Sequence, residues 1–188
     1  LEEYIEEVDC VLIGPGLPRP DGQEEGDDET RELTERLLSK YPRKKWVIDG
    51  GSLQVIKPSI LPKTAIITPN KKEFKLLFNE EVTSDNVQKF AKEFGVTILV
   101  KGEVDYVCDP VRSIEIEGGN AGMTKGGTGD VLAGLTASFY SKNDAFLSAT
   151  CASFINKKAG ESLAEKMGLY FNASDLVNEI PAVMREYI

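Results

Sequence analysis

Four short apolar runs, each closed by a turn and followed by helical periodicity, limit what this chain can fold into more than any other feature. They are Asp9-Cys10-Val11-Leu12-Ile13, Lys45-Trp46-Val47-Ile48-Asp49, Thr64-Ala65-Ile66-Ile67-Thr68 and Thr97-Ile98-Leu99-Val100. Runs of this kind suit strands buried on both faces of a parallel sheet. Between them, Leu33, Leu37 and Leu38 fall at helical spacing within residues 29–41, Phe74, Leu77 and Phe78 follow Asn70, and Val87, Phe90 and Ala91 lie within residues 85–94. Strands alternating with helices predict an α/β domain, a three-layer αβα sandwich around a mainly parallel sheet. Residues 104–108 and 112–116 alternate about Asp109-Pro110 and predict an antiparallel pair. Residues 131–140 read as a helix apolar on nearly every face, and 144–167 as a long helix in which Ala145, Ala149, Ala152 and Ala159 allow close packing. A last helix begins near Ala173, and Pro181 within it predicts a kink or a late start. At the front, residues 1–8 read as the end of an acidic helix.

Ligands of open parallel sheets gather beyond the carboxyl ends of the strands, so the turns there are the candidate sites. Gly14-Pro15-Gly16-Leu17 turns sharply off the first strand and reads either as a ligand loop or as a plain turn. Asp49, before Gly50 and Gly51, suits contact with a cation or ligand and equally a helix cap. Asn70 and Glu73 stand one helical turn apart. They suit the ordering of water about a magnesium–phosphate group, and equally a capping box. Lys101-Gly102 reads as a contact to a nucleotide's phosphate or ribose, or as a solvated lysine. The run Gly126-Gly127-Thr128-Gly129-Asp130 reads as a loop feeding the first turn of a helix, where open N–H groups and the positive helix end make an anion site. Asp130 is out of place beside an anion unless it takes a proton from an attacking hydroxyl or caps the helix.

Composition narrows the chemistry. A length of 188 residues suits one domain with a real core, and a net charge of -9 argues against nucleic acid or an anionic membrane as partner. The chain has no histidine, which removes Ser/His/Asp triads, Cys/His dyads and His-bound metals. The three cysteines, Cys10, Cys108 and Cys151, sit among apolar neighbours and read as buried thiols of a reducing compartment. With no signal peptide or membrane-length apolar run, the expected location is the cytoplasm. The acidic segment 21–28 reads as a solvated loop.

The segment 9–17, Asp49 with its turn, Thr68-Pro69-Asn70 with Glu73-Phe74, Lys101-Gly102, and above all the block 119–134 together resemble the ADP- or ATP-dependent NAD(P)H-hydrate dehydratases of the ribokinase-like superfamily. The resemblance covers almost the whole chain, and the block 119–134 is its specific part. It implies a ribokinase-like fold and a repair reaction, in which the ring hydroxyl of hydrated NADH or NADPH is phosphorylated by ADP or ATP with Mg²⁺ and phosphate is then eliminated. It implies Asp130 as catalytic base and substrate contact. It also implies Gly14, Gly16 and Asn70 on the substrate side, Lys101, Gly102, Gly126, Gly127, Thr128 and Gly129 on the nucleotide side, and Glu73 as a metal contact through water. Homo-oligomeric assembly follows from family habit and from a sheet edge left open, because family domains carry a further N-terminal portion before the first strand. Three departures stand out. Asn70 occupies a position where many dehydratases have His, a pattern shared with vitamin and sugar kinases, which keeps a small-alcohol kinase as the alternative. Asp105 stands where Thr is usual, and Lys125 replaces a small residue before the glycines.

Overall fold

A computed structural model describes residues 2–19 and 27–187. Its elements are α1 (Glu2–Glu7), β1 (Cys10–Ile13), α2 (Asp27–Lys40), β2 (Lys45–Ile48), α3 (Gly50–Val55), β3 (Ala65–Ile67), α4 (Lys71–Phe78), α5 (Ser84–Phe94), β4 (Thr97–Val100), β5 (Asp105–Cys108), β6 (Ser113–Ile116), α6 (Thr128–Lys142), α7 (Ala145–Met167) and α8 (Ala173–Tyr187). The strands form one sheet in sequence order. β1 to β4 are parallel, while β5 is antiparallel to both β4 and β6.

Alternation along the strands divides the core between two faces. Trp46, Ile48, Ile67 and Ile98 pack with α2, α3, α4 and α5, whereas Val47, Ile66 and Leu99 pack with α6 and α7. The sandwich therefore has the three layers that the sequence predicts. α8 adds an outer layer, with Leu176, Ile180 and Val183 packed against Leu163 of α7.

Several expectations are corrected. Asp27 and Asp28 open α2 rather than lie in a loop, and residues 21–26 of that segment lie outside the described residues. α6 starts at Thr128, three residues before its apolar run. α8 starts at Ala173 and continues through Pro181 rather than after it. Cys108 is buried, but Cys10 and Cys151 are only half-buried. Burial pushes all three thiols up, Cys10 to about 11, so each stays protonated at neutral pH. No helix among the described residues is long and apolar enough to cross a membrane.

Candidate active site

The turns after β1 and β2 are joined main chain to main chain. Gly14 is buried with φ +114°, and a Cβ on it would stand 1.7 Å from Asp49 O. Its carbonyl accepts the N–H groups of Leu17 and Gly51, both at 3.1 Å. Only a residue without a side chain permits such an approach. Gly16, by contrast, is exposed, and a Cβ on it would meet nothing within 4 Å.

Asp49 stands at the N-cap of α3 but makes no capping bond. Its Oδ1 accepts instead from Lys101 Nζ at 2.6 Å, with the Asp49 side chain 2% and the Lys101 side chain 18% exposed. The cation that Asp49 meets is thus the protein's own, and Lys101 is not the freely solvated lysine of the plainer reading. Lys101 Nζ also lies 3.4 Å from where a Cβ on Gly129 would stand. That places an ammonium in front of the first turn of α6, where the helix dipole repels it. Asp49 offsets this repulsion, and an anion bound at the helix end would do the same.

Asn70 is drawn to this place because it bridges to Lys101, whose N–H donates to Pro69 O at 2.9 Å. Asn70 Oδ1 accepts from Lys72 N at 2.9 Å and Glu73 N at 3.0 Å, and Glu73 Oε2 accepts from Asn70 N at 2.9 Å. The capping box is complete, and it accounts for both residue types without a metal. Glu73 is 5% exposed, and its Oε1 accepts from Gln54 Nε2 at 3.3 Å.

At the start of α6, Gly127 holds the N-cap position with φ +87°. Thr128 N donates to Lys125 O and Val131 N to Gly127 O, while the N–H groups of Gly129 and Asp130 meet no acceptor among the described residues. The Thr128 hydroxyl is turned inward, 2.5 Å from Met123 O and 2.8 Å from Lys125 O. Around a Cβ on Gly126 there would be open space. Asp130, third in α6, is exposed, with no hydrogen bond or ion pair among the described residues. It is therefore not a cap. The site combines an open helix end, a counterion-held lysine and an unpaired carboxylate, which are the parts that positioning a phosphoryl group beside a hydroxyl requires.

The family model described as NAD(P)H-hydrate dehydratase matches residues 2–182. The chain belongs to that family. It is 40% identical over 191 residues to the ADP-dependent (S)-NAD(P)H-hydrate dehydratase of Nitrosopumilus maritimus, covering 96% of this chain and 63% of the relative. It is 39% identical over 186 residues to the bifunctional NAD(P)H-hydrate repair enzyme Nnr of Archaeoglobus fulgidus, covering 98% of this chain and 37% of the relative. The chain thus spans only about a third to two thirds of the length of these relatives. Among solved structures, a ribokinase-like superfamily protein of Enterococcus faecalis superposes with a TM-score of 0.83 at 25% identity, covering 98% of this chain and 66% of that one. The fold is ribokinase-like.

Within this dehydratase-family site, two residues that depart from the family pattern have structural tasks that the sequence did not disclose. Asp105 is buried, accepts from Gly102 N at 2.8 Å and Ser153 Oγ at 2.7 Å, and pairs with Lys157 at 3.4 Å. Lys157, also buried, donates to the carbonyls of Gly102, Glu103 and Gly118. Both polar groups of Gly102 are thereby occupied within the protein. Lys125 reaches away from the glycines towards the α7–α8 connector. A lysine inside the small-residue run of α7 was the one signal that pointed to the buried network.

Proposed function

We propose that this protein restores hydrated NADH or NADPH, using ADP or ATP to phosphorylate the ring hydroxyl and then eliminating phosphate. The observation that carries the reading is the unpaired Asp130 carboxylate on a helix end whose N–H groups are open and faced by Lys101. Asp130 takes the hydroxyl proton, and the oxygen attacks the terminal phosphoryl. The bond to the leaving nucleotide breaks while the main chain of residues 126–129 and Lys101 take up charge on the transferring group. The ring C–O bond then breaks, orthophosphate departs, and loss of a proton from the adjacent ring carbon restores the double bond. In this reading the dinucleotide lies against Gly14, Gly16 and Asn70.

No group of three or more Cys, Asp or Glu able to hold a metal occurs among the described residues. Among the described residues, two buried oxygens lack a protein partner: Gln54 Oε1, on the amide that donates to Glu73, and Thr68 Oγ1, two residues before Asn70. These residues fit Mg²⁺ carried on the nucleotide and touched through water, since Mg²⁺ keeps several waters and few protein ligands in such sites. Bound there, it supplies charge neutralisation, and Glu73 would orient its water shell. A cytoplasmic location and a homo-oligomeric state belong to the same proposal.

The kinase alternative rests on Asn70, whose capping-box role is compatible with either reaction. Phosphorus NMR of a reaction with hydrated NADH, Mg²⁺ and ATP separates the two. Orthophosphate equal to the NADH restored is expected. A phosphate ester that accumulates would mean a kinase.

Asp49→Asn keeps the shape and an acceptor for Lys101 but removes the negative charge that competes with phosphate. Severalfold tighter ADP binding at low salt is expected, with the gain shrinking as ionic strength rises. Calorimetric titration at two salt concentrations checks this, and weaker binding would show that Asp49 does not restrain the lysine's charge.

A further inference from the structure

Lys125 directly precedes the glycines of the open helix end, yet its charge is spent elsewhere. Its Nζ donates to the carbonyls of Leu169 and Phe171, the latter at 2.6 Å, and sits 5.1 Å from the Phe171 ring centroid. These two carbonyls flank Tyr170. Phe171 is fully buried, with its ring filling the space beside Gly122. Tyr170 is 92% exposed, beside Leu169 in the connector and Met167 at the end of α7, which are also exposed. Its ring edge lies 3.6 Å from where a Cβ on Gly168 would stand, and Gly168 turns the chain with φ +64°. The connector is next to the anion loop on its far side as well, because a Cβ on Gly127 would stand 3.0 Å from Ala173 Cβ.

An exposed aromatic whose backbone is fixed on both sides is unlike the usual single surface tyrosine. The lysine that fixes it is the residue that leads into the phosphate loop. We infer that Tyr170 is the stacking surface for the base of the nucleotide whose phosphates meet residues 126–129, and that Lys125 is the positioning residue that holds it there. The inference rests on the nucleotide reading of the site. Its ligand class is a purine nucleoside di- or triphosphate. Two apolar cavities among the described residues, about 500 Å³ along β1 and about 610 Å³ between β6, α7 and α8, are lined by residues of neither the connector nor the glycine loop.

The test is calorimetric titration of the full chain with ADP, ATP and inorganic tripolyphosphate. Tyr170→Ala is expected to weaken ADP and ATP on the order of tenfold while leaving tripolyphosphate unchanged, because only the base is lost as a contact. Tyr170→Phe should retain the affinity, and Lys125→Ala should show part of the loss. At 92% exposure, Tyr170 is replaceable without loss of fold. Unchanged ADP affinity in Tyr170→Ala would overturn the inference alone. If that variant instead shifts the oligomeric mass with nucleotide affinity intact, the connector serves a second copy of the chain and the inference is again wrong. Wild-type protein that binds tripolyphosphate but neither nucleotide would overturn the nucleotide reading and this inference together.

Discussion

Asp130→Asn should lower the nucleotide-dependent return of the reduced nicotinamide spectrum by about a thousandfold, within the range that a positioned general base contributes. The substitution preserves shape and removes the negative charge, and with it the ability to take a proton. Asp130 is exposed and its side chain has no hydrogen bond or ion pair among the described residues, so the fold loses only the small favourable interaction of its charge with the N-terminal end of α6. The thermal midpoint should therefore stay within a degree or two of wild type, and ADP should bind at least as tightly, since a negative charge near its phosphates is gone. This separates a base from a binding residue. A variant with near-normal turnover would remove Asp130 from the proton-transfer step, and one that no longer binds nucleotide would make it part of the anion site.

Gly14→Ala should be the most destabilising single-methyl change in the site. A Cβ at 1.7 Å from Asp49 O and 2.8 Å from Asp49 C meets backbone on the neighbouring turn, and φ +114° is unfavourable for any L side chain. Neither turn can yield alone, since Gly14 O holds the Gly51 N–H and Asp49 N holds Ile13 O. A loss of about 4 kcal/mol or more is expected, which for a chain of this size lowers the thermal midpoint by roughly 10 °C or more. Displacing Asp49 also moves the partner of Lys101, so nucleotide affinity should change with stability. Gly16→Ala is the control. It carries φ +76° but meets nothing within 4 Å, so only a backbone cost of about 1 to 3 kcal/mol remains. Thermal melts of the two variants decide the matter, and equal midpoints would show that the turns are not locked together.

The layers of this fold are legible in the sequence because the signal is local. Each of the first four strands is a short apolar run, and the helices between them show their inner faces at Leu37, Phe74 and Phe90. Helix ends are less legible where tertiary contacts overrule propensity. Thr128 and Gly129 are poor helix residues, yet α6 begins there because Gly127 takes the left-handed turn and the Thr128 hydroxyl is anchored to Met123 and Lys125. Pro181 is carried inside α8 because Leu176, Ile180 and Val183 on either side of it are buried. The candidate turns were legible for the same reason as the strands they end. The pairing of Asp49 with Lys101 was not. It joins the residues just beyond β2 and β4 across the intervening β3, and no local pattern records which strand end will lie beside which. The grip of Lys125 on the connector is hidden in the same way, being set by the docking of α8 beside the glycine loop.

The central claim is most directly tested by incubating the protein with hydrated NADH, Mg²⁺ and either ADP or ATP while following absorbance of the reduced nicotinamide. Recovery that requires a nucleotide and stops when it is exhausted is the predicted result, and the donor that supports it identifies the phosphoryl source. Absence of recovery with both donors, in a sample shown to bind nucleotide, would contradict the assignment of this site to dehydration.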